Sequence, residues 1–67
     1  MTDLLRHDID DRGVVTLTLN RPTVHNAFNA GLVAALSEAF DEVVRKNARV
    51  LILTGEGHSF SAGADLN

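Results

Sequence analysis

Val50-Leu51-Ile52-Leu53-Thr54-Gly55-Glu56-Gly57-His58-Ser59-Phe60-Ser61-Ala62-Gly63-Ala64-Asp65-Leu66 is the stretch whose reading decides the fold. It opens on four large aliphatic residues in a row, which predict a strand covered on both faces, the pattern of parallel sheets that leave no surface to water. Two glycines and small polar residues then predict a loose turn. The closing Ser61-Ala62-Gly63-Ala64-Asp65-Leu66 is small enough to let a ligand approach the backbone. Gly63 permits unusual dihedrals, Ala64 favours helix, and Asp65 suits the positive first turn of a helix. Strand, turn and exposed N–H groups at a helix start form a geometry for holding an anionic oxygen.

Upstream, Leu5-Arg6-His7-Asp8-Ile9 and Val14-Val15-Thr16-Leu17-Thr18-Leu19 read as a hairpin over residues 5–19, joined at Asp10-Asp11-Arg12-Gly13. Val15, Leu17 and Leu19 share one face of the second strand. His7 reads as a solvent-facing residue. Pro22 lacks an N–H and biases Arg21 towards an extended shape, so the strand ends before it. Asn29 is placed to cap a helix over 30–46, whose Leu32, Val33, Leu36, Phe40, Val43 and Val44 form one apolar stripe. Asn47 is available to end that helix, and Glu42 precedes Lys46 at the favourable spacing of four. A strand over 49–54 and a loop over 55–66 follow. The fold class is therefore α/β: a ββα unit, then a further strand and the start of another helix.

Composition bounds the function. The chain has 67 residues, 45% of them apolar and 22% charged, with no cysteine and a net charge of −3. Chains of about 60 residues bury only roughly 60% of their unfolded surface. The helix stripe and Val50 to Leu53 both need partners that one hairpin does not supply. The expectation is that the 67 residues are a piece of a larger fold, with self-assembly as the alternative. Basic residues are spread rather than clustered, against a nucleic-acid surface. The aliphatic run is far short of the ~20 residues of a membrane span, and the N-terminus lacks a signal pattern. A cysteine-free chain fits a reducing compartment, and the cytoplasm is the expected setting.

Single chemical motifs fail one by one. Gly55-Glu56-Gly57 follows a strand as a dinucleotide fingerprint does, but Phe60 occupies the third glycine position. Gly57-His58-Ser59-Phe60-Ser61 approximates a nucleophile elbow and ends on the wrong residue. No phosphate-loop Gly-Lys-Ser/Thr exists, and no His or carboxylate pair has metal spacing, so no metal is expected. His58 and Ser59 are neighbours in sequence, which does not indicate a Ser–His dyad. His25, His58, Ser59 and Ser61 read individually as turn residues, and Asp65 as a helix-start residue.

The combination says more. Asn20-Arg21-Pro22, Asn26-Ala27-Phe28-Asn29, the amphipathic helix, Val50 to Gly55 and Phe60-Ser61-Ala62-Gly63-Ala64-Asp65-Leu66, in that order and with that spacing, resemble the enoyl-CoA hydratase/isomerase (crotonase) family across essentially the whole chain. The resemblance implies the N-terminal portion of a crotonase spiral fold acting on acyl-CoA thioesters. Hydratases, isomerases, dehalogenases, hydrolases and decarboxylases share these segments. It implies an enolate-like intermediate whose oxygen sits between two backbone N–H groups, the first from Ala64. Ala62, Gly63, Asp65, Leu66 and Asn67 would line the path of the CoA, and Thr23, His25 and Ala27 would meet its nucleotide and thioester arm. CoA enters as substrate, with no separate cofactor, and the family implies trimers or hexamers. Two departures stand out. Asn67 replaces a frequent lysine, and Thr23 and His25 bring little charge where family members are often basic, which leaves Arg21 as a secondary candidate for part of the phosphate role. The second oxyanion donor and the acid/base carboxylates implied by the family have no counterpart among these residues, so the 67-residue chain is expected to be inactive alone.

Overall fold

The computed structural model describes residues 4–63. Strand β1 (Leu5–Ile9) runs antiparallel to β2 (Val14–Leu19), and β2 runs parallel to β3 (Val50–Gly55), giving the sheet order β1-β2-β3. Helix α1 (Ala30–Arg45) makes the crossover that parallel neighbours require. The expected hairpin, helix and last strand are present, the helix ending at Arg45 and the strand displaced by one residue from 49–54, while the expected start of another helix lies outside the described residues. The displacement has a local cause: the Arg49 N–H is taken by the Gly13 carbonyl at the hairpin turn (2.9 Å), and pairing proper starts at Val14 opposite Val50.

One face of the hairpin holds the core. Register sets Leu5 opposite Leu19 and Ile9 opposite Val15, and Leu5, Val15, Leu17 and Leu19 are buried against Leu32, Leu36 and Ala39 of α1. The helix starts where Asn29 accepts a hydrogen bond from the Leu32 N–H (2.8 Å) and ends before Asn47, whose backbone is left-handed (φ 55). Glu42 and Lys46 pair at 2.8 Å on its exposed side.

Two expectations about burial need correction. The apolar stripe of α1 is narrower than its sequence: Leu32 and Leu36 are buried together with Ala39, Val43 is half-buried, and Val33, Phe40 and Val44 are exposed. The helix lies over the hairpin only, so residues on the flank of its stripe have no sheet beneath them. The second correction concerns Val50 to Leu53. The sequence asks for cover on both faces, yet Val50 is 50%, Leu51 41%, Ile52 46% and Leu53 38% exposed. Being the edge strand, β3 lies beyond the reach of α1 on one face, and no layer of the described residues covers the other.

Candidate functional site

Two loops meet at the end of the sheet where β2 and β3 finish. The first follows β2. Pro22 opens a short 3-10 turn, Pro22–Val24, a place where its missing N–H costs nothing. His25 (φ 54) and Asn26 (φ 56) then follow in the left-handed region. That region disfavours most side chains and tolerates asparagine. The reversal turns His25 out to solvent and buries Asn26 completely.

Asn26 holds the site together. Its Oδ1 accepts from the Arg21 N–H (2.7 Å), and its Nδ2 donates to the carbonyls of Glu56 and Ser59, both at 2.9 Å. Both amide protons and the carbonyl are thus used, as a buried amide requires. The second loop, leaving β3, folds so close to this amide that Gly55 has no room for a side chain. A Cβ there would collide with the Phe60 carbonyl oxygen and stand 2.8 Å from Asn26 Nδ2.

From that anchor the two loops run side by side. The Ala62 N–H donates to the His25 carbonyl (2.8 Å), and the Phe28 N–H donates to the Gly63 carbonyl (2.8 Å). Ser61 Oγ donates to the Asn26 carbonyl (2.9 Å) and accepts from the Gly63 N–H (3.0 Å). The N–H groups of Ala62 and Gly63 are therefore occupied within the protein. Gly63 adopts φ 88, a conformation that favours glycine, and a Cβ built on it would meet nothing within 4 Å. No described residue lies against the backbone on that side.

The expected site residues sort as follows. Thr23 and His25 are exposed on the first loop, Ala62 is exposed and Gly63 half-buried on the second, and the His25–Ala62 bond brings the two loops together. Ala27 is buried, so any contact with a ligand falls to its backbone; its carbonyl already accepts from the Arg21 guanidinium. Arg21 is thereby directed at its own loop. The assignments to Ala64, Asp65, Leu66 and Asn67 lie outside the described residues. Glu56 is the one carboxylate in the described part of the two loops, and it pairs with Arg6 of β1 (3.2 Å). No cluster of three metal-ligating side chains occurs among the described residues.

Sequence reasoning passed over two features. Asn26 entered only as part of a motif. A signal for it was available, since asparagine is one of the residues that tolerate a left-handed turn position. Ser59 Oγ lies 3.3 Å from His25 Nδ1, a pairing of residues 34 apart that spacing cannot show. The neighbour His58, which prompted the sequence argument, is exposed at the turn.

Comparison with known proteins places this arrangement in a class. The family model described as enoyl-CoA hydratase/isomerase matches residues 10–67. The 1,2-epoxyphenylacetyl-CoA isomerase of Escherichia coli is 50% identical over 58 residues, covering 85% of this chain and 22% of that protein. The trans-2-decenoyl-[acyl-carrier-protein] isomerase of Streptococcus mutans is 41% identical over 58 residues, covering 84% of this chain and 22% of that protein. Among solved structures, an enoyl-CoA hydratase of Mycobacterium smegmatis superposes with a TM-score of 0.92 at 47% identity, covering 97% of this chain and 26% of that one. The enoyl-CoA hydratase of Thermoplasma volcanium gives 0.84 at 34% identity, covering 96% and 25%. A fold built on a parallel β2–β3 pair with two zipped loops at its end, matched at this level, is a crotonase fold. The chain belongs to the enoyl-CoA hydratase/isomerase family and spans about a quarter of the length of the relatives it matches. The names of the two curated relatives differ in both the acyl group and its carrier, so membership of the family does not by itself assign a substrate.

Proposed function

We propose that this chain is the N-terminal part of an acyl-CoA-processing enzyme of the hydratase/isomerase type, binding the CoA thioester along the two loops and stabilising an enolate-like oxygen through backbone N–H groups. The carrying observation is the pattern of occupied donors. Ala62 and Gly63 spend their N–H groups on His25 and Ser61, the backbone at Gly63 is open, and the next N–H in the sequence is that of Ala64. Charge gathers on the thioester oxygen as the enolate forms, and a donor fixed at that point is worth ~3–4 kcal/mol of transition-state stabilisation. The small side chain of Ala64 keeps Cβ clear of the thioester. In this reading the second donor and the acid/base carboxylates come from polypeptide other than these 67 residues. The enzyme is cytoplasmic, works on a small-molecule substrate without a further cofactor, and assembles with its own copies.

The exposed aliphatic residues of β3 favour a second reading, in which the 67-residue chain self-associates through that strand, binds CoA weakly and catalyses nothing. One construction separates the two. Residues 10–67, the segment that the family model matches, replace the corresponding segment of the Escherichia coli isomerase, and turnover of that enzyme's own substrate is measured. The enzyme reading expects the chimera to be active and the isolated chain to be inactive on crotonyl-CoA. Ala64→Pro, which deletes the N–H, should then lower kcat of the chimera by at least ~10²-fold with acyl-CoA affinity much less affected. Circular dichroism checks folding, since proline is usually accepted at a helix start. A folded Ala64→Pro chimera with near-normal turnover would remove Ala64 from the site.

A further inference from the structure

Asn26 has a place in the site that membership of the family does not assign. Its amide is fully buried, all its polar atoms are engaged, and each bond goes to backbone rather than to a side chain. Two of those bonds cross to the second loop, at Glu56 and Ser59, on the stretch that leads into Ala62 and Gly63. Gly55 is matched to it, because a methyl group at residue 55 would collide with the Asn26 amide and the Phe60 carbonyl together. Around this lock the described residues of the two loops also meet through Ala62 and His25, Phe28 and Gly63, Ser61 and Asn26, and the exposed Ser59–His25 pair.

We infer that Asn26 is the positioning residue of the site, setting through Glu56 and Ser59 the register of the second loop on the first, and so the direction in which the chain leaves Gly63. This rests on the reading of the Gly63–Ala64 segment as the anion-binding element, but it makes a structural claim of its own. Asn26 touches no substrate in this account. It acts through the backbone that carries the donor, where a displacement of about 1 Å can cost ~10²-fold in rate.

The test needs a substitution that respects the left-handed backbone. Asn26→Gly keeps that conformation available and removes the amide. Asn26→Asp keeps the acceptor for the Arg21 N–H and loses both donations to the second loop. Hydrogen exchange of the 67-residue chain is followed at the Ala62 and Phe28 amides, which report the loop pairing, and at Leu17 and Leu36, which report the core. Expected for both variants is exchange at least ~10-fold faster at Ala62 and Phe28, with Leu17 and Leu36 unchanged. In the chimera, Asn26→Gly should lower kcat at least ~10-fold while KM moves less than ~3-fold. Gly55→Ala should reproduce both effects with the Asn26 side chain retained. Wild-type exchange at Ala62 and Phe28 in the variants overturns the proposal. So does equal acceleration of all four amides in both Asn26 variants, which would make Asn26 a general stabiliser of the fold. Loss of Ala64→Pro sensitivity alone, with the exchange result intact, would count against the anion-binding reading and leave the loop lock standing.

Discussion

β2 and β3 are neighbouring six-residue strands, paired in parallel over their whole length, and they live in opposite surroundings. Val14-Val15-Thr16-Leu17-Thr18-Leu19 alternates, and its three aliphatic positions from Val15 onward are buried under α1 while Thr16 and Thr18 are half-covered. Val50-Leu51-Ile52-Leu53 does not alternate and is exposed along its whole length. Parallel partners share a face, so Leu51 and Leu53 lie level with Val15 and Leu17, just past the edge of the helix. The difference teaches that an aliphatic pattern encodes how many faces a strand is built to bury. Whether those faces are buried depends on what lies over them. β2 has the one layer its pattern asks for, and β3 has neither of its two.

Truncation should therefore be severe in one strand and mild in the other. Leu17→Ala opens a cavity in the packed layer between hairpin and helix and should cost ~2–5 kcal/mol, enough to abolish cooperative unfolding in a domain this small. Ile52→Ala removes an aliphatic group of the same size, yet one already half in water, and should cost under ~1 kcal/mol. Urea unfolding followed by circular dichroism measures both. Comparable losses would mean that β3 is covered in solution, by a second copy or by a rearranged helix.

That possibility gives the next effect in size. If copies meet along β3, a charge in the middle of the strand should weaken association at least ~10-fold without unfolding the chain, as edge lysines do in natural sheets. Ile52→Lys tests this by sedimentation across a concentration series. Monomeric wild-type chain under the same conditions would show that the exposed strand does not drive self-association.

Much of this architecture was legible because local rules and packing agree. The period of two in β2, the proline after it, the Asn29 cap and the spacing of Leu32 and Leu36 each have one structural outcome, and the fold realises all of them. Legibility fails where the outcome depends on a neighbour remote in sequence. Ala39 is buried because the hairpin lies beneath it, whereas Phe40, more apolar, falls off the edge of the same support. Asn26 and Gly55 are linked by a contact no spacing rule contains, and Ser59 meets His25 for the same reason. Of the candidate site, the sequence named two segments that the fold brings side by side. It could not show that the N–H groups of Ala62 and Gly63 are already engaged.

A smaller effect belongs to the helix that covers β2 and misses β3. Asn29→Ala deletes the acceptor for the Leu32 N–H at the start of α1 and should cost about 1 kcal/mol. Leu32 packs on the β2 side, so the loss should appear in exchange of β2 amides more than in those of β3. Uniform loss across both strands would show that they unfold as one unit despite their unequal cover.

The smallest expected effect lies at the turn where the two strands are tied together. Asp10 accepts from the N–H groups of Arg12 (2.9 Å) and Val14 (3.1 Å) and from the Arg12 guanidinium (2.7 and 3.0 Å). The Arg12 side chain, helped by the Val14 N–H, holds the Asp10 carboxyl below its ordinary value of 3.8. The same turn presents the Gly13 carbonyl to the N–H groups of Arg49 and Val50, so it anchors the start of β3. A carboxyl with a lowered folded-state pKa is harder to protonate in the folded chain than in the unfolded one. Its contribution is complete above pH 3.8 and disappears as pH falls through the folded value. Asp10→Asn retains a side-chain oxygen for the two backbone bonds and removes the charge. At pH 7 the variant should unfold at slightly lower urea than wild type, by less than Asn29→Ala does, because the group is exposed and screened. The gap should close on acidification below the ordinary aspartate range. Glu42, lowered chiefly by its hydrogen bond with Lys46, leaves a residual pH dependence of the same sign in the variant. A gap that persists undiminished at pH 2 would show that the carboxylate charge is irrelevant and that the turn holds β3 through backbone geometry alone.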